Sequence, residues 1–218
     1  PETSCLGCHV SSYGIAGAER LRAGYEDFEK YACYGCHAAR GFDGLPTFAP
    51  PLEDLNEKIL DTRWLSAWLR NPQAVHPKTL MPDFHLSESE ILNLSSFLLS
   101  LRSEQTFPPV GIGDASADRG KRLYAERGCK ACHADEQGKA SHRRRIPILS
   151  DAGIKLAPRW IILELEIPRV LNPDSRVPRI EMNTAETLDI IAYLSTLKSG
   201  KELLREEDAP RPPGSVEV

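Results

Sequence analysis

The segment Gly24-Tyr25-Glu26-Asp27-Phe28-Glu29-Lys30-Tyr31-Ala32-Cys33-Tyr34-Gly35-Cys36-His37 decides how this chain is read. Leu21, Tyr25 and Phe28 stand four and three apart, the apolar stripe of a helix over residues 18–31 that leads into the cysteines. The closing pattern, C-x-x-C-H, occurs twice more, as Cys5-Leu6-Gly7-Cys8-His9 and as Cys129-Lys130-Ala131-Cys132-His133. Together the three motifs use all 6 cysteines of the chain.

Two thiols three positions apart lie within one helical turn, so both can reach the two vinyl groups on one edge of a porphyrin. The adjacent histidine is then held beneath the iron. This is the pattern of c-type haem attachment. A single C-x-x-C could equally be a zinc ligand pair or a redox disulfide. A four-cysteine zinc site could be drawn from Cys5/Cys8 with Cys33/Cys36. It would leave the third pair without a partner and the three histidines unexplained. The expectation is three covalently bound haem c groups, on Cys5/Cys8, Cys33/Cys36 and Cys129/Cys132, with His9, His37 and His133 as proximal iron ligands.

Working outward, an offset of 96 lays much of the chain on itself without a gap. Gly24 falls on Gly120, Cys33 on Cys129, His37 on His133, Pro51 on Pro147, Trp64 on Trp160, Pro82 on Pro178 and Leu98 on Leu194. The chain is thus two copies of one unit, roughly 24–101 and 120–197, behind an extra haem segment. Residues 62–70 place Leu65 and Leu69 beside Trp64 and Trp68. The last helix of each copy opens on a capping box, Ser87-x-x-Glu90 and Asn183-x-x-Glu186. No stretch alternates as a strand would. Arg102 to Ala117, with Pro108, Pro109, Gly111 and Gly113, has a linker composition. The expected organisation is a haem-attachment segment at 1–23, domains at 24–103 and 118–200, a linker at 104–117 and an extended, weakly packed tail at 201–218.

Each copy resembles a class I-type cytochrome c domain, the first more fully. The resemblance rests on Trp64, Asn71-Pro72, Thr79-Leu80-Met81-Pro82, Phe84 and the Ser87–Leu101 helix. It implies an all-α fold in which terminal helices cross and a methionine loop closes the distal side of the haem. It also implies Met81 as distal ligand opposite His37, a proline carbonyl at Pro51 steadying the histidine, and Trp64 and Phe84 lining the pocket. Pro147 and Trp160 are the second copy's counterparts.

The second copy departs at the ligand, because Val177 stands opposite Met81. Three possibilities stay open: the thioether of Met182, a histidine from elsewhere (another subunit included), or an open coordination site. The first haem has no domain of its own, since only 24 residues separate Cys8 from Cys33. The three histidines outside the motifs, His76, His85 and His142, are the candidate distal ligands for haem 1 or haem 3.

The remaining chemistry is sparse. With 27 basic and 31 acidic side chains the formal charge is −4, which argues against a nucleic-acid partner. No apolar run approaches the roughly 20 residues a membrane-spanning helix needs. The basic run Arg143-Arg144-Arg145 could meet haem propionates or an acidic partner. The chain opens at Pro1 without a charged and apolar leader, so it reads as processed. The resemblance implies export to the periplasm or beyond. The leading expectation is a soluble relay of single electrons between redox partners, a respiratory complex among them. The alternatives are a haem enzyme reducing peroxide or a nitrogen oxide at an open third haem, and an oligomer or filament bridged through haem 1.

Overall fold

The computed structural model describes residues 17–42, 49–133 and 146–208. Among these the regular elements are helices and 3-10 turns, with one isolated β-bridge. The first copy comprises α1 (Glu19–Lys30), a 3-10 turn at Cys33–Gly35, α2 (Leu55–Lys58), α3 (Thr62–Arg70), α4 (Pro72–Val75) and α5 (Glu88–Leu98). The second repeats the order with α6 (Ala117–Glu126), a 3-10 turn at Cys129–Ala131, α7 (Ala152–Lys155), α8 (Pro158–Glu166), α9 (Pro168–Leu171) and α10 (Thr184–Leu194). Two further 3-10 turns, Lys201–Leu203 and Glu206–Asp208, follow.

In each copy the first helix crosses the last. The crossing is tight because a glycine lies at its centre. A Cβ on Gly24 would collide with the Asn93 carbonyl and stand 2.6 Å from Phe97 Cβ, and one on Gly120 would collide with the Asp189 carbonyl. The apolar stripe of α1, with Phe28 fully buried, then packs on Ile91, Leu94 and Phe97 of α5. In the second copy Tyr124 of α6 packs on Ile190, Ile191 and Tyr193 of α10. Both capping boxes form. The Ser87 N–H donates to Glu90 at 2.8 Å and the Asn183 N–H to Glu186 at 3.0 Å, and the reciprocal bonds also close.

The copies meet along a short antiparallel bridge between Ile59 and Leu156. The Leu60 N–H donates to the Lys155 carbonyl and the Ala157 N–H to the Lys58 carbonyl, each at 2.8 Å. The two bonds exchange when the copies are exchanged, so the contact has a local two-fold relation. The offset here is 97, not 96: α2 ends at Lys58 and α7 at Lys155. The ungapped repeat therefore needs correcting. The loop after the second copy's motif is one residue longer than in the first copy, and the approach to α8 one shorter. Ile154 of the second copy buries in the core of the first. Arg159 pairs with Glu57 at 2.6 Å.

Asp151 is the polar centre of this contact. The Trp64 Nε1–H donates to its Oδ2 at 2.7 Å, and His76 Nε2 lies 3.3 Å from the same oxygen. Burial pushes the Asp151 pKa up. The close approach of His76, the charge of Lys155 and the hydrogen bond from Trp64 outweigh that and hold it below the usual 3.8.

One expectation about a connecting segment is overturned. Residues 201–208 are not extended but fold back on the first copy. The Asp208 side chain, only 1% exposed, accepts from Arg70 Nη1 at 3.0 Å, and Glu206 takes Arg63 at 2.7 Å. Charge pairing with α3 explains the docking. Residues 209–218 lie outside the described residues. The linker also packs, since Phe107 stacks on Trp160 with ring centroids 5.7 Å apart.

Replacing Gly24 or Gly120 by Ala should overpack the crossing and cost about 1–3 kcal/mol. A lowered melting temperature checks this, against an unchanged one for Gly111→Ala, where a Cβ meets open space. Asp151→Asn should cost about 1–3 kcal/mol by leaving buried donors poorly served. Because the Asp151 pKa is depressed on folding, its contribution is present above the ordinary carboxylate value and fades as pH falls through the lower folded value. Melting curves of wild type and variant should therefore converge in acid.

Candidate haem crevices

The chain reverses sharply out of α1 into the first motif. Ala32 takes a left-handed conformation (φ 49), and Gly128 does so in the second copy (φ 78). In both copies the motif then makes one tight turn, closed by His37 N–H to the Cys33 carbonyl at 3.0 Å and His133 N–H to the Cys129 carbonyl at 2.9 Å. The thiols of Cys33, Cys36, Cys129 and Cys132 are free. Burial pushes the Cys33 thiol up to about 11 and raises that of Cys129. Cys33 and Cys129 thus hold their protons at the edge of an apolar core.

The proximal histidines are oriented by proline carbonyls. His37 Nδ1 lies 2.7 Å from the Pro50 oxygen, and His133 Nδ1 lies 3.0 Å from that of Pro147. A carbonyl only accepts, so Nδ1 carries the proton and Nε2 keeps its lone pair, the arrangement of a metal-binding imidazole. Burial lowers the His37 pKa and favours this neutral form. The carbonyl serving His37 belongs to Pro50, not Pro51. The sequence comparison missed this because the offset slips by one residue here.

Met81 stands on the fringe of the same core as Cys33, Tyr34 and Trp68. Its sulfur accepts the Trp68 Nε1–H at 2.9 Å, and its carbonyl accepts from Gln73 at 2.8 Å. Trp64 stacks on Trp68 at 5.4 Å. Phe84 lies to one side, edge-on to Tyr31 at 5.8 Å. A thiol pair, an oriented imidazole, a held thioether and flat indole walls around one apolar core fit a covalently attached haem.

The second crevice differs on its distal side. Glu164 stands where the first copy has Trp68, so the sulfur ligand and its hydrogen-bond donor are replaced together. Burial raises the Glu164 pKa, against Lys58 and the Ser175 hydroxyl, which lies 3.4 Å away. Ser175 Oγ also accepts the Val177 N–H at 3.3 Å. Met182 packs against the second core, as Leu86, its counterpart, packs against the first. The indole stack of the first copy is replaced by Phe107 on Trp160.

The candidate distal histidines sit differently. His76 caps α4 and turns toward Asp151 with its ring edge-on to Trp68 at 5.5 Å. The His85 side chain is 88% exposed, 3.4 Å from Asp83. Cys5, Cys8, His9, His142 and Arg143–Arg145 lie outside the described residues. Sequence reasoning did not single out Trp68, Glu164, Phe107, Lys58 or Lys155. The paired replacement of Trp68 and Met81 by Glu164 and Val177 was the one available signal.

No helix among the described residues is long and apolar enough to cross a membrane. A comparison with curated proteins finds no match. The family model described as Cytochrome c matches twice, over residues 21–102 and 117–198, which are the two helical copies. Domains of this family carry covalent haem c and transfer electrons. The chain belongs to the cytochrome c family, as two domains in tandem.

Proposed function

We propose that this protein is a triheme c-type cytochrome that relays single electrons between redox partner proteins, with one haem on each of its three cysteine pairs. The observation that carries the reading is the first crevice, where an imidazole committed through Nδ1 to Pro50 and a thioether held by Trp68 border one apolar core. When bound, haem supplies an iron that alternates between the ferrous and ferric states. His37 offers Nε2 to that iron, and Met81 offers sulfur. Thioether ligation favours the ferrous form and raises the potential relative to a second imidazole. Phe28, Leu94, Phe97 and their neighbours exclude water from the crevice.

For the second copy, His133 is the proximal ligand, and the distal position is filled by Met182, filled from elsewhere, or open. For the haem on Cys5/Cys8 with His9, an exposed histidine such as His85 suits a cofactor lying outside both copies. That geometry would also permit bridging to a second molecule. Haem attachment of this type goes with export, so the site of action is periplasmic or extracellular, and a respiratory complex is a fitting partner.

One observation favours a second reading. Glu164, a carboxyl whose pKa burial raises, lies beside the Val177 loop where no thioether stands. A haem held there by Cys129, Cys132 and His133 with an open position would supply the chemistry for reducing peroxide or a nitrogen oxide, and Glu164 would be the proton donor beside it.

Pyridine haemochrome analysis and intact mass should give three haems per chain, falling to two on replacing Cys5 and Cys8 together by Ala. Met81→Ala should abolish the methionine–iron charge-transfer band and remove the highest-potential centre from a redox titration. A chain mass without haem would refute the relay. Carbon monoxide or cyanide binding by the unaltered protein would support the enzymatic reading, and a fully low-spin, unreactive protein would eliminate it.

A further inference from the structure

Lys58 and Lys155 close α2 and α7 and are two-fold mates across the bridge. Each reaches an indole of the other copy, and the charge of Lys58 is also felt at His37 of its own copy. Lys155 Nζ lies 4.3 Å from the centre of the Trp64 ring and 5.9 Å from that of Trp68, and Lys58 Nζ lies 5.1 Å from that of Trp160. Both side chains are only partly exposed. Neither has a carboxylate within ion-pairing distance among the described residues. Asp151 is occupied by Trp64 and His76, and Glu164 is drawn toward the acid form by burial.

Two ammonium groups brought together in a sheltered contact repel one another. Burial, then the charge of Lys155, pull the Lys58 pKa down to about 8 against the charge of Glu164, and burial lowers that of Lys155 against the charge of Asp151. Asp151 and Glu164 offset this only in part, and further anions between the cations would relieve it. Haem brings two carboxylates on one edge; Trp64 and Trp68, beneath Lys155, share a core with Cys33 and Met81, and Trp160, beneath Lys58, is the second copy's counterpart of Trp64.

We infer that Lys58 and Lys155 bind haem carboxylates in exchange, Lys155 serving the cofactor of the first copy and Lys58 that of the second. Each cofactor is then held by both halves of the chain, and the bridge at Ile59 and Leu156 couples the two crevices. This rests on the haem reading above. It differs from a solvated-lysine role in naming which lysine tunes which iron.

The test is a haem-resolved redox titration of the loaded protein, with the first-copy haem identified by its methionine–iron band. Removing a positive charge near an iron favours the ferric state. Lys155→Met should therefore lower the potential of the Met81 haem more than that of the second-copy haem, and Lys58→Met should do the reverse. Lys155→Arg, which keeps the charge, should restore most of the shift. Unchanged potentials at full haem content, or larger shifts in each lysine's own copy, would overturn the inference and leave the relay intact. Absence of haem from the unaltered protein would instead remove the relay itself. A measurement needing no variant is competitive amine labelling of the loaded protein against pH. Lys58 should titrate well above 8 when haem carboxylates face it, and titration near 8 would overturn the assignment.

Discussion

The bond from a histidine Nδ1–H to a proline carbonyl is the constraint on which each crevice depends. It decides which nitrogen keeps its lone pair and where that lone pair points. Without it a half-buried imidazole would be free to choose either tautomer and to rotate about its side-chain torsions. The elements around it serve this placement. The left-handed residue at Ala32 or Gly128 brings the motif out of the helix, the glycine crossing sets the distance between the first and last helices, and the core behind them excludes water.

The two copies share this proximal arrangement and differ on the distal side. In the first, an indole N–H steadies a thioether. In the second, both partners are gone, and a carboxyl and a valine stand in their places. A hydrogen bond is a joint property of donor and acceptor, so its two halves are expected to change together. Phe107, from the connecting segment, supplies the flat wall that Trp68 provides in the first copy. The copies are thus alike in how they would hold an iron from below and unlike in what they offer from above.

Contact between the copies is not a loose tether. A backbone bridge, the embedding of Ile154 in the neighbouring core, the Arg159–Glu57 pair and the shared carboxylate Asp151 together join them. The chain after α10 returns to the first copy and places Asp208 against Arg70. Arg70 and Asp208 are shielded from water as a pair, which fixes the chain after α10 on the first copy.

Much of this was legible in the amino-acid order because it depends on short-range chemistry. C-x-x-C-H spacing, helical periodicity before Cys33 and capping boxes at Ser87 and Asn183 act within one or two turns, and the structure builds helices where they direct. The choice of Pro50 over Pro51 was not legible, because compensating one-residue shifts in two loops cancel in an ungapped comparison. Nor was the crossing of Lys58 and Lys155, the docking of Asp208 or the stacking of Phe107. Each of these joins residues distant along the chain, and their partners are chosen by how surfaces meet in space. The order of residues therefore determined the attachment chemistry and the helices. Only the tertiary arrangement decided which side chains face one another across the crevices, because that pairing follows from packing and burial rather than from spacing.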